Sequence, residues 1–200
     1  MKKLFLLIAL MGIVATGCDY FPEEGYSGRY EIQYTTTDGQ ILNIRQNFAE
    51  TDFGANILSN NYYGSYGIIK FDDKVTKIGD KAFESCRDLK SIKLPNSVTR
   101  IEWGAFGNCG SLESIKLPNS VTTIGSSAFW SCSSLESITI PNSVTTIGSA
   151  AFGLCSNLTS ITISDSVTEI GEDTFFRCES LTSVTIPNRV TVIGNQAFSG

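Results

Sequence analysis

Histidine is absent from this 200-residue chain. Its absence removes Ser-His-Asp and Cys-His catalysis, and most catalytic zinc sites, from anything the chain does alone. Basic residues are few: 15 Lys and Arg stand against 20 Asp and Glu, for a net charge of −5. Without a basic stripe nothing neutralises a phosphate backbone, which argues against nucleic acid as a partner. Long polar and Pro/Gly-rich runs are missing too, and 42% of the residues are hydrophobic. That is the composition of a folding chain, sized for one domain or a small domain with an extension. The apolar run from Leu4 to Ala15 is too short to span a bilayer comfortably.

That run has a different use. Residues 1–18 read MKKLFLLIALMGIVATGC, a basic start at Lys2 and Lys3, an apolar stretch, small residues and then a cysteine. The pattern is that of an export signal. The tetrad Ala15-Thr16-Gly17-Cys18 resembles the lipobox of bacterial lipoproteins, with Ala where Leu is more usual. The resemblance implies a signal peptide over 1–17, cleavage before Cys18, and a lipid on its thiol. Several acyl chains, at about 0.8 kcal/mol per buried methylene, then hold a soluble domain on a membrane. Residues 18–28, with Asp19, Glu23 and Glu24, make a polar tether. Without Lys2 and Lys3 the balance is 13 basic against 20 acidic residues, about −7.

From Val75 onward the chain repeats every 23 residues: five full units begin at Val75, Val98, Val121, Val144 and Val167, and a partial sixth begins at Val190. A period of this length signals a solenoid. The fourth column is always Ile, the ninth always Phe (Phe83, Phe106, Phe129, Phe152, Phe175, Phe198), the twelfth Cys and the fifteenth Leu. Columns fifteen to twenty spell L-x-x-I-x-[LI], as in Leu135, Ile138 and Ile140, whose alternation marks a strand with one face inward. Pro-Asn-Ser then supplies a turn. Val-Thr-x-Ile is a second short extended stretch, and the Ala-Phe step suits one helical or 3-10 turn. One unit cannot bury enough to offset the ordering of its own backbone, so only stacked units are stable.

The pattern C-x-x-L-x-x-I-x-[LI]-P-x-S-V-T-x-I-G-x-x-A-F resembles the BspA-like leucine-rich repeat of bacterial surface proteins. It covers residues 75–200 and departs at Glu102 (for Gly), Ser164 (for Pro), Thr174 (for Ala) and Arg189 (for Ser). The expected fold is a mostly β solenoid of 23-residue units, with stacked parallel strands, short helical or 3-10 turns, and an N-terminal cap with a hairpin.

Cys86, Cys109, Cys132, Cys155 and Cys178 share one column. Five thiols cannot all pair, and parallel side chains do not offer the roughly 90° torsion of a disulfide. No histidine or carboxylate cluster supports a metal, so no metal or cofactor is expected. The thiols read as small buried hydrophobes.

Residues 29–74 read as the cap. Residues 29–34 and 40–44 make a hairpin around Asp38-Gly39, and Tyr66, Ile69 and Phe71 form a degenerate strand one period before Leu89, Ile92 and Leu94. The aromatic stretch 60–66 is read as cap packing, with a sugar-binding loop as the alternative. At the far end Val190, Ile193 and Phe198 have no following unit, as in a truncated array.

The variable columns flank the strand's inward residues. Lys90, Glu113 and Glu136 occupy the sixteenth, Ser the seventeenth, and Lys93, Lys116, Thr139, Thr162 and Thr185 the nineteenth. They form a candidate binding face or, alternatively, a solvated sheet surface. Trp103, Trp130 and Phe176 are candidate hot spots or gap fillers beside Gly107 and Gly153. The resemblance implies a non-catalytic, adhesion-type protein that binds a host extracellular protein, a glycan or another cell surface, lipid-anchored in the cell envelope and exposed at the outer membrane. A structural spacer without its own ligand is the alternative.

Overall fold

Ile78, Ile101, Ile124 and Ile147, each 23 residues after the last, stand side by side in one parallel ladder. Each unit returns to its starting point one strand spacing further along an axis, about 4.8 Å on. The structure, a computed structural model, describes residues 30–42, 44 and 52–200. Residues 1–29, with the expected signal peptide, Cys18 and the expected tether, lie outside the described residues.

The cap contributes β1 (Glu31–Thr36), β2 (Ile57–Tyr62) and β3 (Gly67–Phe71). The repeats contribute β4 (Lys77–Ile78), β5 (Leu89–Lys93), β6 (Arg100–Ile101), β7 (Ser114–Lys116) and β8 (Thr123–Ile124). They continue with β9 (Ser137–Thr139), β10 (Thr146–Ile147), β11 (Ser160–Thr162), β12 (Glu169–Ile170) and β13 (Val192–Ile193). Each rung therefore has one side in the β5, β7, β9, β11 row and a second in the β4, β6, β8, β10 row. The second row pairs in register throughout, and the first pairs in register as β5 with β7 and β9 with β11.

The third side carries the Ala-Phe step, and no helical segment forms there among the described residues. Donors alternate instead. In the second rung Gly104, Phe106 and Asn108 donate to Ser126, Ala128 and Trp130 of the next rung at 2.7–3.0 Å, whereas Ala105, Gly107 and Cys109 donate three residues back, to Glu102, Gly104 and Phe106. The backward bonds are of 3-10 type but never consecutive. A helix, about 10 Å wide, would not stack at one strand spacing; this flat ribbon does. The alternation requires left-handed residues in columns seven and eleven: Lys81, Gly104, Ser127, Ala150, Asp173 and Gln196, then Ser85, Asn108, Ser131, Leu154 and Arg177, all at φ 52–62°.

The interior is a set of columns. Phe83, Phe106, Phe129, Phe152, Phe175 and Phe198 stack in succession, with centroids 5.2–5.7 Å apart and planes within 17°. Each such pair adds about 0.5–1.5 kcal/mol to the burial of its rings. Val75, Val98, Val121, Val144 and Val167 are fully buried beside them. Three of the four departures from the repeat find partners. Thr174 donates its hydroxyl to Gly171 O at 2.8 Å, Ser164 Oγ accepts from Ser166 N at 3.1 Å, and Glu102 pairs with Arg100 at 2.8 Å.

The cap differs from expectation in two ways. Residues 40–42 do not pair back on β1, because both edges of β1 are taken, antiparallel, by β3 and β5. The hairpin is β2–β3 instead. Asp38-Gly39 still makes a tight bend: Asp38 Oδ1 accepts from Gln40 N at 3.0 Å, and Gly39 has φ +66°. The degenerate strand is β3, but β1 lies between it and β5. Phe53 extends the Phe column into the cap, 5.9 Å from Phe83 and 5.1 Å from Phe71. Tyr34 is fully buried, and its hydroxyl donates to Asn60 Oδ1 at 2.6 Å and accepts from Leu42 N at 3.2 Å.

The fifth-column glycines answer to close approach rather than turn chemistry. A Cβ on Gly125 would lie 2.7 Å from the backbone carbon of Glu102 in the preceding rung, whereas on Gly171 its nearest neighbour would be at 3.4 Å. Gly125→Ala is expected to cost about 2–4 kcal/mol and Gly171→Ala less than about 1 kcal/mol, measured by urea unfolding. Equal costs would contradict the close-approach account.

Candidate functional site

The outward face of the β5, β7, β9, β11 row is built by strand alternation. Ile92, Ile115, Ile138 and Ile161 point inward and are buried. Their neighbours Lys93, Ser114, Lys116, Ser137, Thr139, Ser160 and Thr162 are exposed. Parallel register sets Lys93 directly beside Lys116 and Thr139 beside Thr162. Lys90 and Glu113 approach to 3.5 Å, a half-exposed pair contributing under about 1 kcal/mol. Glu136 is exposed at the next rung in the same column.

Two expected members stand apart. Thr185 is exposed but lies outside any strand, because its segment is on the last rung of this side. Its neighbours Leu181, Thr182, Ser183, Val184 and Ile186, with Phe198, line a cavity of about 290 Å³. At the other end the first serine of the seventeenth column, Ser91, is buried and bonded to Thr35 Oγ1 at 2.7 Å. β1 covers it. β1 also sets Gln33 opposite Lys93 and Glu31 beside Lys70 at 3.7 Å. The alternation of Ile32, Tyr34 and Thr36 was the sequence signal for this extra strand.

Hydroxyl columns divide into two kinds. Thr99, Thr122, Thr145 and Thr191 donate to the carbonyl of the corresponding threonine one rung back, at 3.0–3.4 Å. Ser97, Ser120 and Ser143 donate similarly to Val75, Val98 and Val121. By contrast, the hydroxyls of Ser114, Ser137, Ser160, Thr139 and Thr162 bond to no other described residue. Lys116 likewise has no ion pair among the described residues.

The aromatics of the turn side have intramolecular partners. Lys81 Nζ sits 4.4 Å from the Trp103 ring centroid, Arg177 lies 5.4 Å from that of Phe176, and Trp130 lies over Gly153 and fills the space a Cβ would take. In the stretch 60–66, Asn60 donates to Leu42 O at 3.0 Å and Tyr62 packs on Tyr34. Tyr63 is exposed and rests against Tyr66 at 5.9 Å.

The five described cysteines are buried and form no disulfide with one another. The thiols of Cys109, Cys132, Cys155 and Cys178 donate to Phe83, Phe106, Phe129 and Phe152 O of the preceding rung at 3.0–3.2 Å. Burial pushes all four thiols up, Cys178 to about 11. Thiolate chemistry is therefore suppressed. No group of three or more Cys, Asp or Glu among the described residues is placed to hold a metal ion.

The family described as BspA type leucine rich repeat region matches residues 76–200 in 6 copies. A leucine-rich repeat protein from Bacteroides ovatus is 28% identical, with a TM-score of 0.58, over 72% of this chain and 42% of its own. A T. pallidum leucine rich repeat protein is 30% identical, with a TM-score of 0.50, over 62% of this chain and 68% of its own. This chain thus spans less than half the length of the Bacteroides protein. No curated protein matches it.

A buried thiol that resists ionisation couples stability to pH. Because the folded pKa exceeds the unfolded one, this stabilisation is complete below about pH 8.5. It falls as pH rises toward the folded value, by about 1.4 kcal/mol per pH unit for each thiol. Cys132→Val is expected to flatten the decline of Tm above pH 9. An unaltered slope would show that the thiol is not held neutral.

Proposed function

The chain belongs to the BspA-type leucine-rich repeat family, and from that premise we propose that it is a lipid-anchored surface protein. It binds a partner outside the cell through its strand face, without catalysis. The observation that carries this reading is the outward column of Lys93, Lys116, Thr139 and Thr162, in register as Lys93 beside Lys116 and Thr139 beside Thr162, on a scaffold whose inner columns are stacked without a break. Such a row is rigid before any partner arrives, so little ordering entropy opposes binding. Recognition is additive: each inner rung offers the same two outward positions, and affinity grows with the number of rungs engaged. Lys90, Glu113 and Glu136 border the row on one side. Thr185 is left out of it.

Attachment to the envelope rests on Cys18 and the tetrad before it. Two or more acyl chains at that thiol anchor the protein durably where one chain would not. The polar tether then carries the cap and solenoid away from the membrane. The partner is a host extracellular protein, a glycan or another cell surface.

Cells carrying wild-type protein, Cys18→Ala, or Lys93→Glu with Lys116→Glu test both halves of this reading together. Cys18→Ala is expected to shed the protein into the medium. The double charge reversal is expected to leave it on the surface and to reduce attachment to extracellular matrix and to partner cells by roughly tenfold. Full attachment by the charge-reversed cells would favour the spacer reading instead.

A further inference from the structure

The division of the hydroxyls, together with Lys116, narrows the chemistry of the partner. Taking the strand side as the recognition face, we infer that it binds a linear polysaccharide of β-linked sugars carrying carboxylate or sulfate groups, laid along the solenoid axis. Three observations converge. The threonines of the second column already donate to the preceding rung, whereas Ser114, Ser137, Ser160, Thr139 and Thr162 are exposed and bond to no other described residue. Two parallel rows of donors and acceptors thus face solvent in register, Ser137 beside Ser160 and Thr139 beside Thr162. At the cap end the outer row turns basic, with Lys93 against Lys116.

The spacing selects the polymer. Hydroxyls recur along the axis once per rung, about 4.8 Å; successive sugars of an extended β-linked chain turn over, so one face of the polymer recurs every second sugar, close to every second rung. Side chains on one face of an extended polypeptide recur at about 6.6–6.8 Å and lose register within two rungs. Charge selects the anion: a carboxylate or sulfate over Lys93 and Lys116 gains charge-assisted hydrogen bonds. Glu113 and Glu136 occupy the sixteenth column, and Glu113 is already held by Lys90, so the polymer lies over the seventeenth to nineteenth columns.

The test uses the full chain in detergent, with hyaluronan and chondroitin sulfate as probes. A neutral β-linked glucan and polyglutamate are the comparison polymers. Binding to the two anionic polysaccharides is expected. It should fall on the order of tenfold in Lys116→Glu and several-fold in Thr139→Val with Thr162→Val. Valine suits an exposed strand position, so the fold is retained. Thr122→Val with Thr145→Val removes only engaged hydroxyls and should leave binding unchanged. The inference is overturned if neither polysaccharide binds, if the glucan competes equally, if polyglutamate binds better, or if the engaged and free threonine pairs behave alike. Cell attachment through Lys93 and Lys116 alongside any of those outcomes would retire the ligand class and leave the binding face standing.

Discussion

Backbone donors that no rung can satisfy alone bind the solenoid together. In each unit, alternate N–H groups on the turn side point out of the rung and reach the next one, as from Phe106 to Ala128 and from Phe129 to Ala151 at 2.8 Å. The second side does the same in the opposite sense, from Glu102 to Ile78 and from Gly125 to Ile101. A unit out of register would bury unpaired donors on both sides at once, and each costs about 1–3 kcal/mol. The 23-residue period follows from that constraint, because only equivalent residues can meet.

Much of what the columns contain follows in turn. Phenylalanines stack nearly parallel because each occupies the same place in its rung. The cysteine column is similar: a thiol is small enough to sit beneath the Phe stack, and it donates to a Phe carbonyl of the preceding rung that also accepts that rung's own turn N–H. Glycine in the fifth column lets backbones of successive rungs approach where a side chain would collide. The few departures are tolerated where the new polar group finds a partner at once, as Thr174 does on Gly171.

Periodicity made the solenoid legible, since a Val, Ile, Phe, Cys or Leu recurring at one spacing can only be an inner row. The turn side was not legible. Its left-handed positions are held by Lys81, Ala150, Leu154 and Arg177, residues without the glycine signature of that conformation, so stacking enforces what local preference would not. The cap was half legible. Asp38-Gly39 announced its bend, but insertion of β1 between β3 and β5 is a long-range pairing that no local pattern specifies. The face itself could be listed from the outward columns, yet only hydrogen bonds separate free hydroxyls such as Thr139 from engaged ones such as Thr122.

The account turns on register, and a paired deletion measures it most directly. Removing residues 121–143 takes out one whole period and joins Ser120 to Val144; removing 121–142 leaves one residue too many. Amide hydrogen exchange across 144–200 should remain slow in the first variant and become fast in the second, whose rungs no longer face their equivalents. Equal protection in both, or equal loss, would contradict the claim that neighbouring rungs are held residue against equivalent residue.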